Sequence, residues 1–156
     1  VGQLGRLWGL VYVGNLLGGL CFTLLAVLLT PGLGVVEAAA FEAIALKLVS
    51  HDLTWLFVGG VFAGWLMGLL AWLITAAQET TGRLLMVFIV TGTIGMLHLP
   101  HSIAGNVEVL FGLVSSPAIS VVDYLAFLSL ATVGNAVGGG IFVAALKYGH
   151  VVRGAS

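Results

Sequence analysis

The stretch Leu97-His98-Leu99-Pro100-His101-Ser102-Ile103-Ala104-Gly105-Asn106-Val107-Glu108 lies inside one long apolar run and decides the fold. Pro100 removes a backbone donor and clashes with the preceding helical turn, and Gly105 lowers the helix propensity further. We therefore predict a helix that breaks near residues 98–106. A break at membrane depth is tolerated only where it is buried in protein or lines a wet cavity. Ionisable and polar side chains at such a break are therefore candidates for function.

The composition places this break in a membrane. The chain is 60% hydrophobic and 7% charged, whereas an ordinary soluble domain is about 25% charged. We predict an all-α integral membrane protein that contacts the lipid bilayer. The net charge of −1 and the lack of a basic patch argue against nucleic acid as a partner. The single cysteine, Cys21, cannot form a disulfide within the chain and is expected to be a packing residue.

Four apolar stretches are long enough to cross a bilayer. A hydrocarbon core about 30 Å thick requires roughly 20 apolar residues per helix. We predict one membrane domain over residues 1–156, with spans at about 7–29, 53–76, 84–114 and 122–148. Over residues 35–51 the apolar residues recur at helical spacing among charged ones, which predicts an amphipathic helix on the membrane surface.

The basic residues predict an orientation for these spans. In a four-span topology Arg6, Arg83, Lys147 and Arg153 all fall on one side, and only Lys47 lies opposite. Because cytoplasmic loops are enriched in Lys and Arg, both chain ends are predicted to be cytoplasmic, in a multi-pass protein of the inner (plasma) membrane. The sequence begins without Met and without a recognisable signal peptide, so we expect it to be part of a longer product.

One short pattern occurs twice. Val13-Gly14-Asn15-Leu16-Leu17-Gly18-Gly19 in the first span and Val133-Gly134-Asn135-Ala136-Val137-Gly138-Gly139 in the fourth share V-G-N-x-x-G-G. The two spans run in opposite directions, so the copies form an inverted repeat, which is typical of transporters and channels. The alternative is that the glycines only let helices pack closely. For Asn15 and Asn135, as for Pro100, we expect a structural role, with the amides bonding between helices or to carbonyls exposed at a break.

These motifs together resemble the formate/nitrite transporter family. The resemblance rests on His101-Ser102-Ile103-Ala104 at the broken helix, on Gly134-Asn135-Ala136-Val137-Gly138-Gly139-Gly140, and on Tyr12-Val13-Gly14-Asn15. It covers essentially the whole chain, which matches the family's third to sixth helices and so holds four of the usual six spans. The resemblance implies an aquaporin-like helical bundle, a homopentamer with a pore through each protomer, and passage of small monovalent anions, in some members with a proton.

The sequence departs from the family pattern at three positions. Gly105 stands where the family usually has asparagine, with Asn106 following it, and the family's other pore asparagine falls at Gly64. Glu108 lies where most members are apolar. The chain therefore looks like a divergent branch, in which formate specificity does not follow from the resemblance.

The resemblance places His101 at the centre of the pore. Imidazole titrates near pH ~6.5, so a protonated His101 would attract an anion, and passing that proton on would let a weak acid leave neutral. Ser102, Asn106 and the backbone around Gly105 can add donors at the break. The alternative for His101 is a buried histidine that only stabilises the break.

Four further residues are candidates for the pathway. Glu108 would have to be protonated, paired with His101 or Lys47, or turned away from an anion pore. Lys47 can attract anions to the outer mouth, although an ordinary solvated charge is the simpler interpretation. Ile94 and Met67 are candidates for apolar constrictions, with helix packing as the alternative.

Other classes of membrane protein fit the sequence less well. A membrane anchor or structural subunit of a redox complex that holds haem generally has histidines on facing helices, whereas His98 and His101 share one segment. An intramembrane hydrolase with these histidines and Glu108 as metal ligands would lack the H-E-x-x-H spacing. We therefore predict a channel or transporter rather than an enzyme, without cofactor or metal.

Overall fold

The computed structural model describes residues 2–154, and all regular structure in that range is helical. The helices are α1 (Gly2–Leu29), α2 (Ala38–Val49), α3 (Leu53–Ala76), α4 (Thr80–Met96), α5 (Ala104–Ser115) and α6 (Val121–Gly154). Within the described residues, three segments are long and apolar enough to cross a membrane, namely α1, α3 and Val121–Leu146 of α6. Helices α4 and α5 are shorter and also apolar. The protein is thus an all-α membrane protein.

Two of the basic residues used for the orientation lie where side chains are not described. Lys147 and Arg153 belong to the last turns of α6, whose backbone is helical to Gly154. Their side-chain positions lie outside the described part of the structure, so the orientation remains a prediction from the sequence.

Local sequence signals explain where the helices begin and end. Helix α3 starts after Asp52, whose carboxylate accepts hydrogen bonds from the backbone N–H groups of Thr54 at 2.8 Å and Trp55 at 3.1 Å. This is the usual N-cap arrangement, which satisfies donors that lack a partner in the first turn. Helix α4 ends at Met96, and His98 beyond it has φ +48°. This left-handed conformation often ends a helix and normally favours glycine.

The chain divides into two compact units. The first unit comprises Val1–Ser50 and Ile103–Ala126. In it, α5 packs against both α1 and α2. The rings of Phe41 and Phe111 lie 5.0 Å apart, and Gly112 approaches Ala45 so closely that a Cβ would not fit there. The buried face of α2 is formed by Phe41, Ala45 and Leu48, which recur at helical spacing.

The second unit comprises His51–Ser102 and Phe127–Ser156. Here α3 packs against α4 through a cluster built around Leu70, Val90 and Ile94. The contact between α3 and α6 is different, because backbone atoms of the two helices approach each other closely, as at Gly64, where a Cβ would lie within 3 Å of backbone atoms of Asn135. Glycines on both helices remove the side chains that would otherwise hold them apart, which is a common way of packing membrane helices.

Candidate functional site

The break between α4 and α5 comprises residues 97–103. The N–H groups of Leu97, His98 and Leu99 still donate to carbonyls of the last turn of α4. Pro100 has no N–H to donate and is buried. A Cβ on Gly59 of α3 would lie 2.7 Å from Cδ of Pro100. Gly59 thus makes room for the proline, and the break is a packed feature of the second unit.

One side chain, Asn135 of α6, holds this break to α3. Its Nδ2 donates to the carbonyl oxygens of Gly60 at 2.8 Å and Pro100 at 2.9 Å. Its Oδ1 accepts the backbone N–H of Ser102 at 3.0 Å. Both amide N–H groups and one lone pair are therefore used on backbone atoms. A helix break leaves backbone groups without helical partners, and Asn135 supplies a donor and an acceptor to this one.

His101 lies between Pro100 and Ser102, the two residues of the break that Asn135 binds. Its side chain is partly buried, whereas the flanking Pro100 and Ser102 are buried and His98 is exposed. The backbone on both sides of His101 is fixed by bonds to one amide, so the fold fixes the backbone from which the imidazole projects. The sequence alone placed His101 at the break but did not show what holds it there.

Asn106, the third residue of α5, belongs to the first unit and is fully buried. Its Oδ1 accepts a hydrogen bond from the hydroxyl of Tyr124 at 2.7 Å. Its Nδ2 has no hydrogen-bond partner among the described residues. A Cβ on Gly19 would lie 2.8 Å from this Nδ2, so α1 covers the amide closely.

The remaining predicted site residues have varied surroundings. Gly105 is buried and Glu108 partly buried, whereas Lys47 is exposed in the last turn of α2. Ile94 is buried in the cluster with Leu70 and Val90, and Met67 packs against that cluster. The surroundings of Ile94 and Met67 are those expected for ordinary helix packing.

Three contacts near the predicted site were missed from the sequence. Nothing in the pattern singled out Tyr124 as the partner of Asn106. The Ser116 hydroxyl donates to the Glu42 carboxylate at 2.6 Å, which links α2 to the C-cap of α5. The glycine pair Gly59-Gly60 of α3 was a usable signal, because adjacent glycines in a long apolar helix indicate close approach by another element.

Among the residues that the structure describes, no group of three or more His, Cys, Asp or Glu side chains could hold a metal ion. The arrangement that the structure does build is a helix break with organised backbone groups and one imidazole.

This geometry defines an all-α membrane protein in which an asparagine that follows a glycine fixes a broken helix. A profile of the formate/nitrite transporter family matches residues 1–149, and the chain belongs to that family. It is 28% identical over 154 residues to the inner membrane protein YfdC of Escherichia coli strain K12. That match covers 98% of this chain and 48% of the relative, so the chain spans about half the length of the relative. No solved structure matches it.

Proposed function

We propose that this chain supplies part of a transmembrane pathway for small monovalent anions of the formate or nitrite type, with His101 at its centre. The observation that carries the proposal is the three-bond attachment of the break by Asn135, which fixes the backbone on both sides of His101. Because the chain belongs to a transporter family, we interpret this geometry as part of a transport pathway.

The chemistry follows from what a small anion needs at membrane depth. The pathway must replace part of the anion's hydration without holding it tightly. The positive end of α5 begins at Ala104, directly after the break, and a half-helix N-terminus favours negative charge. Protonated His101 adds a donor and a charge, and transfer of its proton to the anion of a weak acid produces a neutral species that leaves easily.

The other predicted residues take supporting roles in this proposal. Ser102, Gly105 and Asn106 shape the start of α5, and Glu108 affects the proton linkage from the same helix. Lys47 raises the local anion concentration at the outer mouth. Ile94 and Met67 form the apolar wall behind the pathway. The surrounding assembly is a homopentamer of aquaporin-like protomers in the inner membrane, with cytoplasmic chain ends and no enzymatic step.

Replacement of His101 tests the mechanism. We expect His101→Asn, in the full-length protein reconstituted in liposomes, to abolish the pH dependence of formate or nitrite uptake. His98→Asn is the matched control, because His98 is exposed and lies in the same break. Uptake should be followed at several pH values with a pH-sensitive dye inside the vesicles. An unchanged pH profile for His101→Asn would rule out the proton role.

A further inference from the structure

The break and the asparagine that binds it are carried by different parts of the second unit. Pro100 of the break lies on α3, where a Cβ on Gly59 would lie 2.7 Å from its Cδ. Asn135 projects from α6 and donates to the carbonyl oxygen of Pro100 at 2.9 Å. The distance between α3 and α6 therefore determines whether Asn135 can reach the break.

Gly64 of α3 determines this distance at the asparagine itself. A Cβ on Gly64 would lie 2.5 Å from Cα of Asn135 and 2.7 Å from its carbonyl carbon, and it would overlap the Asn135 carbonyl oxygen. Non-bonded carbon atoms prefer separations of about 3.5–4.0 Å. The two helices can approach this closely because residue 64 has no side chain, which is a common device in the packing of membrane helices.

The other glycines of α3, a helix that the structure describes in full, meet different neighbours. A Cβ on Gly60 would be at ordinary contact distance, 3.4 Å from the nearest backbone atoms of α6. A Cβ on Gly68 would lie 3.2 Å from Cδ1 of Phe142, which belongs to a side chain that can rotate. Gly64 is thus the glycine of α3 at which an added side chain would displace Asn135 directly.

We propose that Gly64 is a positioning residue of the transport pathway, which keeps Asn135 within reach of the backbone on both sides of His101. The proposal rests on the proposed function, because it assigns a role at the same break. Gly64→Ala would push α6 away from α3 by about 1 Å, while the break stays with α3 through Pro100 and Gly59. The hydrogen bonds of Asn135, now 2.8–3.0 Å long, would then exceed the usual limit of about 3.2 Å.

This displacement would free the two backbone groups that flank His101. The N–H of Ser102 would lose its acceptor, the Asn135 Oδ1 at 3.0 Å, and the Pro100 carbonyl would lose its donor. The imidazole would then project from a backbone that is no longer fixed. A change at residue 64 would therefore act on His101 through Asn135.

Hydrogen exchange at the Ser102 amide measures the loss of its bond. In the full-length protein in detergent, NMR with 13C-carbonyl histidine and 15N-serine selects this amide, because these 156 residues contain one His-Ser pair. The signal is assigned by its loss in Ser102→Ala. We expect Gly64→Ala to accelerate the exchange about five- to tenfold, the factor that corresponds to one lost hydrogen bond. Gly68→Ala, the matched control with the same gain in helix propensity, should stay within about twofold of the wild type.

Gly134→Ala perturbs the same helix contact more mildly and remains informative if Gly64→Ala does not fold. A Cβ on Gly134 would lie 2.7 Å from the Phe57 carbonyl oxygen. We expect the exchange rates to follow the severity of the overlap, with Gly64→Ala fastest, Gly134→Ala intermediate and Gly68→Ala close to the wild type. Rates in another order would overturn the proposal, as would an unchanged rate in Gly134→Ala when Gly64→Ala does not fold.

A double-mutant cycle shows whether the effect passes through Asn135. In the Asn135→Ala background the acceptor of the Ser102 N–H is already removed, so the addition of Gly64→Ala should change the exchange rate by less than about twofold. A further five- to tenfold acceleration in that background would mean that Gly64→Ala loosens α3 and α6 in general. The proposal would then fail.

The pH profile of anion uptake connects the position of the break to transport. In liposomes, Gly64→Ala should shift the midpoint of the profile for formate or nitrite uptake by about 0.5 pH unit or more, whereas Gly68→Ala should not shift it. Faster exchange with an unshifted profile would overturn the positioning role when His101→Asn does change the profile. If His101→Asn leaves the profile unchanged, the proposed function fails, and the exchange rates still decide whether Gly64 positions the break.

Discussion

The two copies of V-G-N-x-x-G-G are alike in sequence and differ in their contacts. In the second copy, Asn135 makes three hydrogen bonds to backbone groups and the glycines touch α3 at backbone distance. In the first copy, Asn15 bonds within its own helix, and Gly14 and Gly18 touch nothing nearby. The comparison teaches that the same motif binds a helix and a break in one copy and neither in the other, so the elements packed against it determine its contribution to stability.

The largest expected effect comes from the glycines of the second copy. Gly138→Leu should destabilise the folded protein by about 3 kcal/mol, because the new side chain must displace backbone atoms of α3. A Cβ on Gly138 would lie 2.9 Å from the backbone nitrogen of Trp65 and closer still to the Val61 carbonyl. Thermal unfolding in detergent measures the change.

The matched control is Gly140→Leu, two residues later on the same helix, where a Cβ meets nothing within 4 Å. This variant should unfold within a few degrees of the wild type. An equal loss of stability in both variants would mean that leucine destabilises this part of α6 for a reason other than the contact with α3.

The asparagines give the next largest effect. Asn135→Ala removes bonds to Gly60, Pro100 and Ser102 and should cost about 2–3 kcal/mol, because backbone groups at the break lose their partner. Asn15→Ala in the 156-residue chain removes one exposed bond within a helix and should cost less than about 0.5 kcal/mol. Chemical unfolding of both variants in the same detergent compares them. A large loss for Asn15→Ala in this chain would remove the contrast between the copies.

Tyr124→Phe tests the polar contact beside the first copy. The substitution leaves Oδ1 of buried Asn106 without its donor and should destabilise the protein by about 1–2 kcal/mol. Tyr148→Phe on the exposed part of α6 is the control and should be neutral. Hydrogen exchange of the α5 amides reports the effect locally. Unchanged exchange would show that Asn106 finds another donor.

The smallest expected effect concerns the backbone of the break itself. His98 has φ +48°, a conformation that costs a side-chain-bearing residue more than glycine. His98→Gly should stabilise the protein by up to about 1 kcal/mol, and His98→Val should destabilise it by a similar amount. The midpoints of thermal unfolding should therefore fall on opposite sides of the wild type. A shift of the unfolding midpoint in the same direction for both variants would indicate that the imidazole makes a stabilising contact.

Much of the fold follows from composition and periodicity. Apolar runs of membrane length predicted α1, α3 and α6, and the proline in the third run predicted the interruption between α4 and α5. These features are local, because a bilayer imposes helix length and a proline disrupts its own turn. The family also followed from short motifs and is confirmed by the profile match.

The partners of the polar residues did not follow from the sequence. Asn106 is one position beyond the residue expected from the family pattern, and one position rotates a side chain by about 100° around a helix. In the structure, the Asn106 side chain lies against Gly19 and accepts a hydrogen bond from Tyr124. The element that packs against each face of a helix is determined by contacts between residues far apart in the chain. A local sequence pattern therefore cannot predict it.

The sequence by itself determined the membrane class, the helices, the break at Pro100 and the repeated motif. Only the tertiary structure decided that Asn135 fixes the break on either side of His101 while Asn15 is exposed. The physical reason is that an asparagine amide can bind many different donors and acceptors, and the local sequence does not specify which of them it meets. Its contribution is set by the backbone groups that packing brings within hydrogen-bond distance.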